Sequence, residues 1–265
     1  MKNIEEAMDR ASSTDEKELS SLVHHPSHAV ISKILLNENL TEKLALIIAG
    51  RKNIGRDILE SLYNDQRWGG SYRIMSALCK NPKTPQKISL SLLDSLRIFD
   101  VADLTRNPQV PVNVRKRAES RTIEKILSLP LGMKMTLARR SSNAVLMKLI
   151  EDGMKEVVPI CLDSMYIREG DVCKIVSMKK ISSQVICQIA SHAKWSLRHD
   201  VQRALILNNY TPLAIAIHFI EKMKTVDLAE LYATPSLPTS TKPFIYRELN
   251  DRNSDSPAEE DVLYF

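Results

Sequence analysis

The sequence predicts an all-α fold: an α–α superhelix built from short helical repeats, with an internal duplication. Three observations carry that prediction. Glycine occurs only 7 times in 265 residues and aromatic residues make up 5%. Those numbers supply too few tight turns and strand-forming side chains for a β-sandwich or barrel. The chain also matches itself at an offset of 127, and within each matching half a spacing of 26 residues recurs. A repeat of that length accommodates two short helices and their turns.

Laid over residues 164–242, residues 37–115 align without a gap and share 16 identities in 79 positions. The matched pairs include Glu42/Glu169, Lys52/Lys179, Ile54/Ile181, Asn81/Asn208, Thr84/Thr211 and Asp100/Asp227. The two tryptophans of the chain, Trp68 and Trp195, fall on each other, and so do Pro85/Pro212, Pro108/Pro235 and Pro111/Pro238. Insertion-free pairing of rare residue types is the mark of internal repetition.

The shorter repeat is written in its turns. Asn81-Pro82-Lys83-Thr84-Pro85 is followed 26 residues later by Asn107-Pro108-Gln109-Val110-Pro111. In the second half, Asn208-Asn209-Tyr210-Thr211-Pro212 is followed by Thr234-Pro235-Ser236-Leu237-Pro238. Pro82 disfavours helical geometry at Asn81 and so ends a helix. Thr84 and Thr211 are expected as N-caps, with Pro85 and Pro212 in the first helical position. Between the turns the apolar spacing is helical. Ile74, Ala77 and Leu78 share a face, as do Val201, Ala204 and Leu205. Ile88, Leu92, Leu93 and Leu96 form a second stripe, echoed by Ile215, Phe219, Ile220 and Met223. Ser13-Thr14-Asp15-Glu16 reads as a capping box. The pattern predicts roughly sixteen to eighteen helices, each too short to stand alone and stacked on its neighbours.

The run Tyr72-Arg73 … Ala77 … Asn81-Pro82-x-Thr84-Pro85 … Ile88 … Leu92-Leu93 resembles the leucine-rich repeat variant and HEAT-like class of bacterial α-helical solenoids. The second copy departs from that run at Asp200-Val201 and at Asn209. The resemblance implies a solenoid over residues 21–249. It also implies a role as an interaction scaffold, since such families mostly serve that purpose and a few helical-repeat relatives act on DNA.

The expected organisation is a single helical-repeat domain, residues 1–249. Its copies 37–115 and 164–242 are joined by helices in 116–163, and a polar, acidic, disordered tail covers 250–265. That tail ends in the apolar run Val262-Leu263-Tyr264-Phe265. The net charge of +5 is unevenly spread: residues 1–20 carry −3 and residues 250–265 carry −4, which leaves +12 on the body. A basic body suits an anionic partner without requiring one. The apolar runs are too short to span a bilayer, so no membrane insertion is expected. The first residues lack the apolar core of a signal peptide, and four cysteines without paired spacing point to reduced thiols in a cytoplasmic protein.

No metalloprotease, serine-hydrolase, P-loop or dinucleotide-binding signature occurs, and no catalytic residue, metal ligand or cofactor is assigned. His24 and His28 have zinc-like spacing, but Pro26 between them breaks the helix such a site needs. Cys161, Cys173 and Cys187 form no close pair, and Cys173 and Cys187 read as small core residues. His199-Asp200 spells a phosphohydrolase dipeptide with the other ligands missing. Trp68 and Trp195, beside Arg67 and Lys194, read either as inter-helix anchors or as a base-stacking surface. The basic residues Arg115, Lys116, Arg117, Arg121 and Lys125, with Lys134, Arg139 and Arg140, are the candidate binding surface. Arg117, Arg121 and Lys125 line one helical face, and Glu119 and Glu124 lie close enough in sequence to neutralise part of it.

The expected function is therefore a non-catalytic scaffold that binds a protein or peptide on the concave face of a superhelix. The alternative is a helical-repeat protein that binds nucleic acid through the basic residues.

Overall fold

A computed structural model of the chain describes residues 2–13 and 15–254. Among these residues every regular element is a helix. The first nine are α1 (Lys2–Ser13), α2 (Glu16–Leu22), α3 (His28–Leu36), α4 (Glu42–Gly50), α5 (Arg56–Asn64), α6 (Tyr72–Lys80), α7 (Gln86–Leu92), α8 (Ile98–Arg106) and α9 (Val112–Lys125). There follow α10 (Leu131–Arg140), α11 (Asn143–Asp152), α12 (Val158–Leu162), α13 (Glu169–Val176), α14 (Ser183–Ala190), α15 (His199–Ile206), α16 (Leu213–Lys222), α17 (Thr225–Ala233) and α18 (Lys242–Ser254). Short 3-10 turns lie at Gln66–Trp68, Leu93–Ser95 and Ile126–Ser128.

The chain divides into two compact units, one running to Lys125 and taking in Arg140–Ser142, the other comprising Ile126–Arg139 and the chain from Asn143 onward. In the first unit alternate helices stack: α4 lies on α6 and α6 on α8, while α3 lies on α5 and α7 on α9. The second unit repeats the scheme, with α11 on α13, α13 on α15, α12 on α14 and α16 on α18. Most of these helices have ten residues or fewer, too short to persist alone in water. Each is held by burying one stripe against two neighbours. Of the stripes anticipated from spacing, Ile74, Leu78, Ile88, Leu92, Leu93 and Leu96 are buried in the first unit and Val201, Leu205, Phe219, Ile220 and Met223 in the second, while Ala77, Ala204 and Ile215 are half-buried.

Three kinds of polar link join a helix to the one two further along the chain. At the N-terminal ends, the first residue of one helix bonds the acidic third residue of the helix two further along the chain. Tyr72 donates to Asp100, Asn143 Nδ2 to Asp171 Oδ2 at 2.7 Å, and His199 Nε2 to Asp227 Oδ2 at 2.9 Å. At the opposite ends, the turn asparagines take up helix-end carbonyls left without an intrahelical donor. Asn81 Nδ2 donates to Ala49 O at 2.7 Å and Arg51 O at 2.8 Å, and Asn208 Nδ2 to Val176 O at 2.6 Å. Arginines do the same elsewhere: Arg51 bonds Val23 O and His25 O, and Arg252 bonds Met223 O and Glu221 O. The helix starts also recur at the sequence offset: Glu42, Arg56, Tyr72, Gln86 and Ile98 open α4 to α8, and Glu169, Ser183, His199, Leu213 and Thr225 open α13 to α17, each 127 residues later. Gly153, at φ 77°, closes α11 in the left-handed conformation that a side chain resists.

Two local expectations shift. Pro85 and Pro212 are themselves the N-caps of α7 and α16, so the helices begin one residue later than the turn chemistry suggested. The Thr84 hydroxyl is buried without a partner, and Thr211 Oγ1 turns back to donate to Leu205 O at 2.6 Å. The proline carbonyl accepts from Ile88 and Ser89 and so opens the first turn, with the threonine one residue outside it. At the start of the chain Asp15 caps α2, its carboxylate accepting from the Glu18 amide at 3.2 Å. Thr14 of the expected capping box lies outside the described residues. At the far end α18 runs through Ser254, so residues 250–254 of the expected tail are helical. Residues 255–265, including the apolar run, lie outside the described residues.

Candidate functional site: an apolar cleft in the second unit

The basic residues nominated by the sequence fall in different units and are largely engaged. Arg115, Lys116, Arg117, Arg121, Lys125 and Arg140 belong to the first unit, Lys134 and Arg139 to the second. Arg121 is buried: its guanidinium donates to the carbonyls of Leu93 and Asp94 and pairs with the Asp94 carboxylate at 2.9 Å. That pairing holds the Asp94 carboxyl below its ordinary value. Lys134, 1% exposed, meets Asp152 at 2.7 Å. Arg140 forms a two-pronged pair with Asp103, lies over the Phe99 ring, and has its pKa raised by that carboxylate. Glu119, expected to neutralise a neighbouring cation, instead accepts from Ser142 Oγ at 2.6 Å. Lys116 and Arg117 are exposed, with Arg117 at 4.0 Å from Glu124.

Neither tryptophan offers an open face. Trp195 is 2% exposed and donates through Nε1 to Leu162 O at 2.9 Å. Trp68 is 9% exposed and packs in the core of the first unit. The cations beside them are spent on the rings and the frame. Lys194 Nζ lies 4.0 Å from the Trp195 centroid, and Arg67, 5.2 Å from Trp68, donates to the carbonyls of Leu35 and Asn37.

Cys79 and Cys161 are buried, and burial pushes both thiols up to about 12, which makes them poor nucleophiles. Among the described residues no three His, Cys, Asp or Glu side chains gather as a metal site. His199 is tied to Asp227 and Asp200 as a surface link between helices. No described helix is long and apolar enough to cross a membrane.

An apolar cleft of about 370 Å³ lies in the second unit, between the end of α14, the Trp195 turn, α15 and α16. Ala190, Leu197, Ala214, Ile215 and Phe219 supply its walls, with Gln202, His218 and Lys222 among the polar lining. Leu197 stands 78% exposed at its mouth. Ile215 belongs to the stripe that spacing assigned to the core, yet it is only half-buried because one side of it faces this space. A larger groove of about 540 Å³ runs past the ends of α13 and α15, but it is lined by turn residues such as Ser177, Lys179, Asn208 and Asn209. Its Asn208 amide is already committed to Val176 O.

The first unit differs at the matching place. At the positions 127 residues earlier there are two separate hollows, of about 260 and 40 Å³, and Tyr63 lines both. Tyr63 borders both of them, and its hydroxyl lies 3.4 Å from Ser91 Oγ. The residue 127 positions on is Ala190, and the corresponding hollows there are one. The exchange of tyrosine for alanine is visible when the two halves are aligned. What the alignment lacks is any sign that this position borders two hollows.

Compared with protein-family models and with curated proteins, the chain matches none of them.

Proposed function

We propose that the protein is a non-catalytic interaction scaffold of the reducing cytoplasm, holding a short segment of a protein partner in the cleft of the second unit. The reading takes the chain as a duplicated α–α superhelix similar to the bacterial HEAT-like and leucine-rich-repeat-variant solenoids. The recurrent helix starts, the stacking of alternate helices and the repeated Tyr72–Asp100 and His199–Asp227 links support that reading. Four cysteines without a disulfide support the reducing setting.

One observation carries the binding role: the exposed Leu197 above Ile215 and Phe219, an apolar recess with polar groups around it. Recesses of this kind bury the anchor residues of a bound segment, and a few anchors supply most of the binding energy. The nucleic-acid alternative is weakened because Arg121, Lys134 and Arg140 are already spent on carboxylates and helix-end carbonyls of their own units, which lowers the number of cations able to meet phosphates. The test is photo-crosslinking from native lysate, with a crosslinking residue at Leu197 and a control at exposed Leu36 in the first unit. The reading expects a protein partner trapped at 197 and absent at 36. The same yield at both positions contradicts it.

A further inference from the structure

The cleft has a candidate occupant in the chain itself. Arg252, in the last turn of α18, donates to Glu221 O and Met223 O, the carbonyls on either side of the cleft residue Lys222. The chain therefore leaves α18 beside one end of the cleft. From Lys222 the cleft follows α16 back to Ala214, eight residues, or about 12 Å at the helical rise. From Ser254 to Val262 there are also eight residues, which reach at most about 26–29 Å when extended. That reach more than covers the distance.

The chemistry matches in order as well as in kind. Residues 255–265 read Asp-Ser-Pro-Ala-Glu-Glu-Asp followed by Val-Leu-Tyr-Phe. Along α16 the cleft presents Lys222 and His218 at the end nearest α18, and Ile215 and Ala214 farther along. A segment entering at Lys222 and running antiparallel to α16 sets its acidic residues against the cation, and its apolar residues against the apolar wall.

We propose that this cleft is a docking site for the chain's own segment 255–265, with Val262, Leu263, Tyr264 and Phe265 seated on Leu197, Ile215 and Phe219. The proposal rests on the cleft being a peptide site, and it adds the identity of one ligand: an acidic run followed by an apolar, aromatic one. Bound in cis, that segment competes with any partner for the same surface.

The test uses the full chain, a chain ending at Ser254, and a full chain carrying L263D and F265D. A fluorescein-labelled peptide of residues 255–265 is titrated into each, with light scattering to record mass. The proposal expects saturable binding to the shortened chain and to the double variant, and at least ten-fold weaker apparent affinity for the full chain. Amide exchange in α16 is expected to be slower in the full chain than in the other two, independent of protein concentration. No binding to the shortened chain, or equal binding to all three, overturns it. Protection that appears only with a dimeric mass assigns the segment to a second copy and overturns docking in cis. A partner crosslinked at Leu197 alongside absent peptide binding leaves the scaffold reading standing without this inference, so the two fail separately.

Discussion

His199 Nε2 and Asp227 Oδ2 lie 2.9 Å apart and join the first turn of α15 to the first turn of α17. Asp227 also accepts from Arg203 at 2.8 Å, and Asp200 lies 3.3 Å from the other imidazole nitrogen. The hydrogen bond to Asp227, followed by that to Asp200, raises the His199 pKa above 6.5, while the Asp227 carboxyl is lowered and stays ionised. A histidine raised on folding contributes stability fully below its unfolded value and loses it as pH climbs through the folded value. The link should therefore weaken from about pH 6.5 upward. An NMR titration of the His199 ring gives the folded value directly, and His199→Gln should flatten this part of the stability–pH curve. A folded pKa at or below 6.5 contradicts the assignment. Tyr72 occupies the matching place on Asp100, and its own pKa is raised by burial and by that carboxylate, so the link in the first unit stays unchanged across this window.

Lys134 and Asp152 form an ion pair whose side chains are 2% and 8% exposed. Removing one partner strands a buried charge, at a cost of about 3–5 kcal/mol, whereas replacing both with apolar groups of similar size is close to neutral. Urea unfolding should thus find Lys134→Met severely destabilised and the Lys134→Met, Asp152→Leu pair largely restored. Equal losses in both would mean that packing, not charge, dominates there.

Asn81 is buried and its amide serves Ala49 O and Arg51 O while its carbonyl accepts from the Lys83 amide at 2.9 Å. Asn81→Ala leaves those backbone groups unpaired, and the expected loss is about 1–3 kcal/mol. Thermal unfolding of this variant should show a clearly lowered midpoint, while Asn113→Ala, at an exposed position, serves as the neutral comparison.

The engaged state of Arg121, Lys134 and Arg140 predicts weak retention on heparin, with elution at low salt and no co-purifying nucleic acid. Counterion release makes the salt slope a count of phosphate contacts, so a steep slope would restore the nucleic-acid reading.

How far these features are legible in the sequence depends on what encodes them. Helix ends are written locally: Asn81-Pro82 and Asn208 stop a helix by backbone chemistry, and the stripes around Leu78 and Leu205 identify their buried faces by period alone. The direction taken by a long cationic side chain is decided by the neighbouring repeat. Arg121 satisfies carbonyls at Leu93 and Asp94, about one repeat earlier, and nothing local to Arg117 and Lys125 distinguishes it from a solvated arginine. The tryptophans read both ways for the same reason, until Leu162 O is seen to receive the Trp195 Nε1 proton. The cleft is less legible still. Ala190 lines it where the first unit has Tyr63, and a missing side chain signals nothing until its surroundings are known.

That missing ring also provides the most direct measurement. Ala190→Tyr places in the second unit the side chain that borders both hollows of the first, and the binding of the partner trapped at Leu197 is then compared between this variant and the unaltered chain by calorimetry. The account predicts that affinity falls at least ten-fold in Ala190→Tyr, while the far-ultraviolet spectrum stays unchanged. Undiminished affinity in a folded Ala190→Tyr chain would contradict the assignment of binding to this cleft.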